Sequence, residues 1–444
     1  MSFARRRLHS TTFYRPEMAY NGYTLFTPMA LSIPGTDYDA ISRQTSTAWL
    51  VDMEGNIVHS WQLPGKVRMH AELLPNGNLL CAVDDPGIPK GHLQLPFSGP
   101  ELFEIDWDGN IVWKYHNLMM ECHDRARLKN GNTLIIQYYE IPKEIAAKVK
   151  GGVPGSEKDG IMWGYALKEI NPEGKVVWDW LPHEHLDFEL DAITPLCPRY
   201  LWPGFNSIDE LPDGDIIACS FHTSNLYIIS KETGEVKWRW GQNKISFPHD
   251  PHMLSNGNII VLDNGRFHTD VYFPPDFSRI VEVNPATNEI EWVYKAGNPV
   301  DFYTTYIGGC QRLPNGNTLI CEGAMGRFFE VSPKGELVWE YINPFYAQAG
   351  GNFGLNNSVY RCFRYGPDHP ALQGKILDPQ KYQAWNKLYV GNFSASAPGH
   401  SGSHLPAAKG CGKMVQNYQN YQPGASSFDA REDKVVSKLK NLGY

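Results

Sequence analysis

No run of about 18 consecutive apolar residues occurs in this 444-residue chain, which excludes a transmembrane helix. Its eight cysteines (81, 122, 197, 219, 310, 321, 362 and 411) never form a C-x-x-C pair, so neither a zinc ribbon nor a disulfide framework is indicated. Long Lys/Arg blocks are missing as well. The sole basic cluster is Arg5-Arg6-Arg7 and the net charge is −8, which argues against a nucleic-acid partner. The opening "MSFARRRLHSTTFYRPEMAY" has no apolar stretch behind its arginines, as a secretory leader requires. The expectation is a soluble, cytoplasmic protein with no membrane partner and its oligomeric state open. There is no P-loop, no G-x-G-x-x-G and no H-E-x-x-H, so nucleotide and zincin chemistry have no carrier. "GHSGS" at 399–403 does not fit the G-x-S-x-G nucleophile elbow.

What the chain has in quantity is turns and aromatics: 41 Gly, 32 Pro, 13 Trp and 23 Tyr. They recur in order. Six segments share a strand, a tight turn and an aromatic strand: "WLVDMEGNIVHSW", "LFEIDWDGNIVWKY", "LKEINPEGKVVWDW", "LYIISKETGEVKWRW", "IVEVNPATNEIEWVY" and "FFEVSPKGELVWEY". Their turns centre on Gly55, Gly109, Gly174, Gly234, Asn288 and Gly335, residues that tolerate positive φ. Four positions on stand His59, Trp113, Trp178, Trp238, Trp292 and Trp339; two further on comes a second aromatic, on the same strand face. These rings are read as structural, packing one sheet on the next. A second hairpin precedes most units, in "LLPNGNLLCAV", "LKNGNTLIIQY", "LPDGDIIACSF", "LSNGNIIVLDN" and "LPNGNTLICEG", with "YNGYTLFTP" at 20–28 a degenerate copy. Together they make a four-stranded meander repeated six times. The fold expected is an all-β, six-bladed β-propeller over 1–345, with a mixed or helical C-terminal extension over 346–444 packing on it. Ring closure is left to either terminus. Insertions at 141–160 and 182–204 are expected on one face, shaping a binding mouth. Short helices are expected at 379–388 and in "DAREDKVVSKLKNL".

The strand before each N-G-N turn is the innermost and lines the central channel. Its first residues are Met69-His70, His123-Asp124, Asn206-Ser207, His249-Asp250 and Gly308-Gly309. Three of these five copies place a histidine there, and His252 stands one strand-step further. Each alone would serve to satisfy backbone groups; in register they converge on one axis, as a site requires. Alternation points Asp124 and Asp250 away from the channel. Arg266 could return to the same mouth, where its guanidinium suits a tetrahedral oxyanion. Asn206, Asn264, Tyr138 and Cys310 are candidate substrate contacts. "HEH" at 183–185 reads as a solvated acidic loop, not a metal site.

The "HDxxxLxNGN" inner strand and the stretch "QRLPNGNTLICEGAMGRFFEVSPKGELVWEYINPF" resemble the arylsulfate sulfotransferase family over about residues 20–345. The resemblance implies transfer of a sulfuryl group from a phenolic sulfate to a phenol, with no nucleotide donor or other cofactor and a channel histidine as carrier. His249 and Arg266 match the family's His-then-Arg blade, and His123 matches a further channel histidine. The family's carrier is expected in a later blade, where this chain has Gly308-Gly309-Cys310. Two alternatives stay open. One is a metal-dependent lyase, hydrolase or oxidase with a transition metal on His70, His123, His249 and His252. The other is a propeller that binds without catalysis.

Overall fold

The computed structural model describes residues 10–29, 46–84, 99–157, 160–266, 276–348 and 355–389. They build a six-bladed β-propeller of antiparallel sheets. From inner to outer strand, blade 2 runs Val67–Leu73, Leu79–Val83, Glu101–Ile105 and Ile111–His116. Blades 3, 4 and 5 repeat the order with inner strands Met120–Arg127, Phe205–Glu210 and His249–Met253. The second strands, such as Ile259–Asp263, are buried throughout because blades cover both faces. The outer strand Ile111–His116 alternates exposed and half-buried residues.

Strands near both ends of the described residues complete the ring. Ser10–Tyr14 adds a fifth strand outside Leu337–Ile342 in blade 6, whose inner strand is Gly309–Arg312. Val359–Tyr365 is the inner strand of blade 1, paired with Tyr23–Pro28. The propeller therefore draws on residues beyond 345, and this C-terminal strand supplies a blade rather than packing over one. Pro379–Tyr382 and Gln383–Tyr389 form the expected short helix, capped by the Asp378 side chain. Its Asn386 accepts from the Ile57 amide and donates to the Ile57 carbonyl in blade 1. The terminal "DAREDKVVSKLKNL" lies outside the described residues.

The repeated aromatics form a belt. Each outer-strand indole N–H donates to the outer turn of the following blade: Trp61 to Asp106, Trp113 to Pro172, Trp178 to Lys231, Trp238 to Asn288, Trp292 to Pro333 and Trp339 to Met53. At about 1 kcal/mol net each, these bonds matter mainly by fixing blade-to-blade register around the whole ring. The asparagines of the N-G-N turns are tethered too. Asn78, Asn132, Asn258 and Asn317 donate to Glu104, Glu169, Glu282 and Glu330 on the third strands. The two insertions meet: Gly151–Val153 pairs in parallel with Ile193–Pro198.

Candidate active site

At the end of the channel where the inner strands begin, three imidazoles surround one phenol ring. The ring of Tyr360, on the closing strand, lies 5.6 Å from that of His70, 6.0 Å from His123 and 6.0 Å from His249, centroid to centroid. All four side chains are buried. The Tyr360 hydroxyl donates to the Asn206 carbonyl at 2.9 Å. Met29, Met69 and Ile307 pack with Tyr360, and Tyr306 and Ala324 lie against them, so one wall of this end is apolar.

His249 has a defined tautomer. Asn264 Nδ2 donates to the Thr304 carbonyl at 2.7 Å, which turns Asn264 Oδ1 toward the imidazole. His249 Nδ1–H therefore donates to that oxygen at 2.7 Å, and Nε2 keeps its lone pair. Burial pulls the His249 pKa down to about 3, against the Asn264 bond, so the ring is neutral at pH 7. His123 is held differently. Both oxygens of buried Glu121 grip it, one at the imidazole Nδ1 and one at the backbone N–H at 2.8 Å. Burial raises the Glu121 carboxyl above its ordinary value in spite of His123. His70 is the third case: both ring nitrogens lack a hydrogen bond among the described residues, and burial holds its pKa well below 6.5.

One layer down, the channel is closed by charge. Arg361 Nε faces Asp250 Oδ1 at 2.9 Å, and its Nη1 donates to Asp124 Oδ2 at 3.0 Å. Its Nη2 donates to Ser207 Oγ at 2.5 Å. Asp124 and Asp250 thus point into the channel, contrary to the alternation argument. The reason is a bulge in the inner strand of each of blades 2 to 5: register shifts fall between Arg68 and Ala71, Glu121 and Arg125, Phe205 and Ser207, and His249 and His252. Met69 and Asp250 take positive φ at 66° and 60°, which lets two consecutive side chains face the axis.

The other candidates are distributed. His252 is not at the histidine end; it lies beyond the Arg361 layer, 3.2 Å from Asp250 Oδ1. Burial lowers it, but Asp250 and Asp209 outweigh that and hold its pKa at about 10. The Arg266 guanidinium covers the Phe247 ring at 5.4 Å. Phe247 lies 6.4 Å from Phe221, and Phe221 lies 5.8 Å from His123, so two aromatic rings stand between Arg266 and His123. Asn206 is buried, with Nδ2 donating to Pro248 and Oδ1 unpartnered among the described residues. Tyr138 is not at the mouth but in the blade core against Tyr165, because its strand face points between blades 3 and 4. The Cys310 thiol packs in the core of blades 5 and 6, and only its N–H reaches the channel, donating to Asp250 Oδ2 at 3.1 Å.

The four histidines proposed as metal ligands do not fit that role. Three face the Tyr360 ring rather than a common point, and His252 lies a layer away. Among the described residues, no three ligating side chains converge on a metal position. "HEH" is structural as well: His183 bonds the Tyr139 hydroxyl at 2.9 Å, and His185 stacks on Trp180.

Sequence reasoning missed Tyr360, Arg361, Glu121 and His222. His222 is buried near His123, donates from Nδ1 to the Leu201 carbonyl at 3.1 Å, and has its pKa lowered by burial to about 4. The signal for Tyr360 and Arg361 was the degenerate first copy, whose missing inner strand had to come from elsewhere.

Three similar solved structures lie at low identity. A Bacteroides caccae protein of unknown function is 14% identical, with TM-score 0.46, covering 78% of this chain and 99% of that one. Virginiamycin B lyase from Staphylococcus aureus is 12% identical, with TM-score 0.36, covering 67% and 83%. Hydrazine synthase from Kuenenia stuttgartiensis is 10% identical, with TM-score 0.41, covering 72% and 86%. No curated protein matches the chain. A family model described as arylsulfotransferase (ASST) matches residues 70–344, spanning blades 2 to 6 with His70, His123, His249 and Arg266, and the chain belongs to that family.

Proposed function

We propose that the protein transfers a sulfuryl group from an aryl sulfate to a phenol, with His249 as the transient carrier. The observation that carries this reading is the fixed, neutral tautomer of His249, with Nε2 turned away from its Asn264 anchor. In the first half-reaction the Nε2 lone pair attacks sulfur, an N–S bond forms, and the bond from sulfur to the aryl oxygen breaks. His123, backed by Glu121, hands a proton to the departing phenolate. In the second half the acceptor phenol gives its proton back to His123 while its oxygen attacks sulfur and His249 leaves. Arg266, over the Phe247 ring, supplies positive charge for the sulfuryl oxygens, and the apolar wall of Met29, Met69 and Ile307 suits an aryl ring. The blade that holds the carrier histidine in the family has Gly308-Gly309-Cys310 here, so the role falls to His249.

The test is incubation with nitrophenyl sulfate and a phenol acceptor, followed by peptide mapping. Nitrophenolate release and a sulfuryl adduct on the His249 peptide are expected. An adduct elsewhere reassigns the carrier, and no release with several aryl sulfates overturns the reading.

A further inference from the structure

The amide that anchors His249 is itself oriented from outside the histidine end. Asn264 is fully buried, and its Nδ2 faces two carbonyls, Thr304 at 2.7 Å and Ile307 at 3.3 Å. Only a donor can stand between two carbonyl oxygens, so Oδ1 is the atom left for His249 Nδ1. Both carbonyls belong to one short bend, residues 304–307, that joins blade 5 to blade 6.

The Thr304 side chain draws this bend closed. It is fully buried, and its hydroxyl donates to the Ile307 carbonyl at 2.5 Å and accepts from the Ala324 N–H at 3.1 Å. Ser278 completes the frame: its Oγ accepts from the Thr304 N–H at 2.9 Å and donates to the Asn264 carbonyl at 2.8 Å. Gly308 follows at φ 127°, and a Cβ there would lie 2.3 Å from the Cys321 carbonyl oxygen. The bend also serves the site directly, since the Ile307 side chain belongs to the apolar wall beside Tyr360.

We propose that Thr304 is a positioning residue for the carrier: by closing the bend it orients Asn264, and Asn264 in turn holds His249 as the Nδ1–H tautomer with its lone pair on Nε2. The importance of that tautomer rests on the sulfuryl transfer proposed for His249; the chain of bonds that sets it does not.

A neutral histidine free in water carries its proton mainly on Nε2, which would leave no lone pair there to attack sulfur. The tautomer that the transfer needs is therefore one the protein has to impose. The Phe247 carbonyl, 3.2 Å from Nδ1, is a longer second acceptor for the same proton. Loss of the Thr304 hydroxyl should accordingly mix the two tautomers rather than invert them, and loosen the ring at the same time.

The experiment is imidazole NMR of the full chain labelled with ¹⁵N-histidine at neutral pH, with the His249 signals identified by their loss in His249→Gln. A proton on Nδ1 alone is expected in the wild type. Thr304→Val, similar in shape but without the hydroxyl, should show part of the proton on Nε2 and form the sulfuryl adduct about tenfold more slowly. Thr304→Ser, which keeps the hydroxyl, should restore both. A wild-type proton on Nε2 overturns the proposal, and so does a Thr304→Val protein with wild-type tautomer and rate. Should Thr304→Val not fold, Asn264→Leu is read the same way, and an unchanged tautomer there overturns it too. The spectrum of the resting protein needs no substrate, so a shifted tautomer without any adduct on His249 supports the positioning and sinks only the transfer.

Discussion

Arg361 Nε stands 2.9 Å from Asp250 Oδ1, joining the closing strand of blade 1 to the inner strand of blade 5 across the channel. The same guanidinium reaches Asp124 of blade 3, so three alternate blades meet on one side chain. Burial pulls the Arg361 guanidinium down, but the two aspartates hold it above its ordinary value, and it stays charged. Replacing Arg361 with Met strips buried Asp124 of its ion-pair partner and leaves Asp250 with His252 alone, a loss of about 3–5 kcal/mol. The triple variant Arg361→Met, Asp124→Asn, Asp250→Asn should recover much of it. Urea denaturation of the three proteins checks both statements; equal stability of wild type and Arg361→Met would refute the role.

Gly309 of blade 6 makes room for the same cluster. A Cβ on Gly309 would lie 2.1 Å from Asp250 Oδ2, the oxygen that accepts from the Cys310 N–H. Where a side chain at 309 would begin, the Asp250 carboxylate already stands. Gly309→Ala should cost about 1–3 kcal/mol through forced displacement of the carboxylate. Gly297, whose Cβ would meet nothing within 4 Å, is the control, and Gly297→Ala should stay within about 0.5 kcal/mol of wild type. Thermal melts of the two variants make the comparison.

The fold was legible because its signals are local and repeated. The N-G-N turns with their glutamate tethers, and the indoles two residues before a second aromatic, each specify a hairpin within one blade. Convergence of His70, His123 and His249 was legible for the same reason: all three sit at one register position. Their neighbours were not. The bulges at Met69 and Asp250 put non-glycine residues at positive φ with no Gly to mark the positions, so nothing in the pattern announced that Asp124 and Asp250 would turn inward. Tyr360 and Arg361 pair with strand Tyr23–Pro28, more than three hundred residues earlier, and a windowed pattern cannot register that partnership.

Acid should weaken the protein through its neutral histidines. His249 has a native pKa of about 3 against about 6.5 unfolded, so the unfolded chain takes up a proton that the native one refuses. Its contribution is complete above about pH 6.5 and is lost as pH falls toward 3, at about 1.4 kcal/mol per unit. His249→Gln keeps a side chain that can bond Asn264 but removes the titration. Between pH 6 and 4.5 its stability should fall less steeply than wild type by that slope. Urea midpoints at three pH values measure it, and parallel slopes would place the acid sensitivity elsewhere.

Glu121 and His123 give the proposed transfer a leaving-group signature. If His123 protonates the departing phenolate, its loss matters in proportion to the basicity of that phenolate. Nitrophenolate departs readily as an anion, whereas unsubstituted phenolate needs the proton. His123→Gln should therefore lower turnover of phenyl sulfate by about 10²- to 10⁴-fold and that of nitrophenyl sulfate by much less. Glu121→Gln keeps the shape but replaces the carboxylate that grips His123 Nδ1 with a neutral amide. It should show the same ordering with smaller losses. A steady-state series over phenols of graded acidity reads this as a steeper dependence of rate on leaving-group pKa in both variants. Equal losses for every leaving group would assign His123 to binding rather than proton transfer.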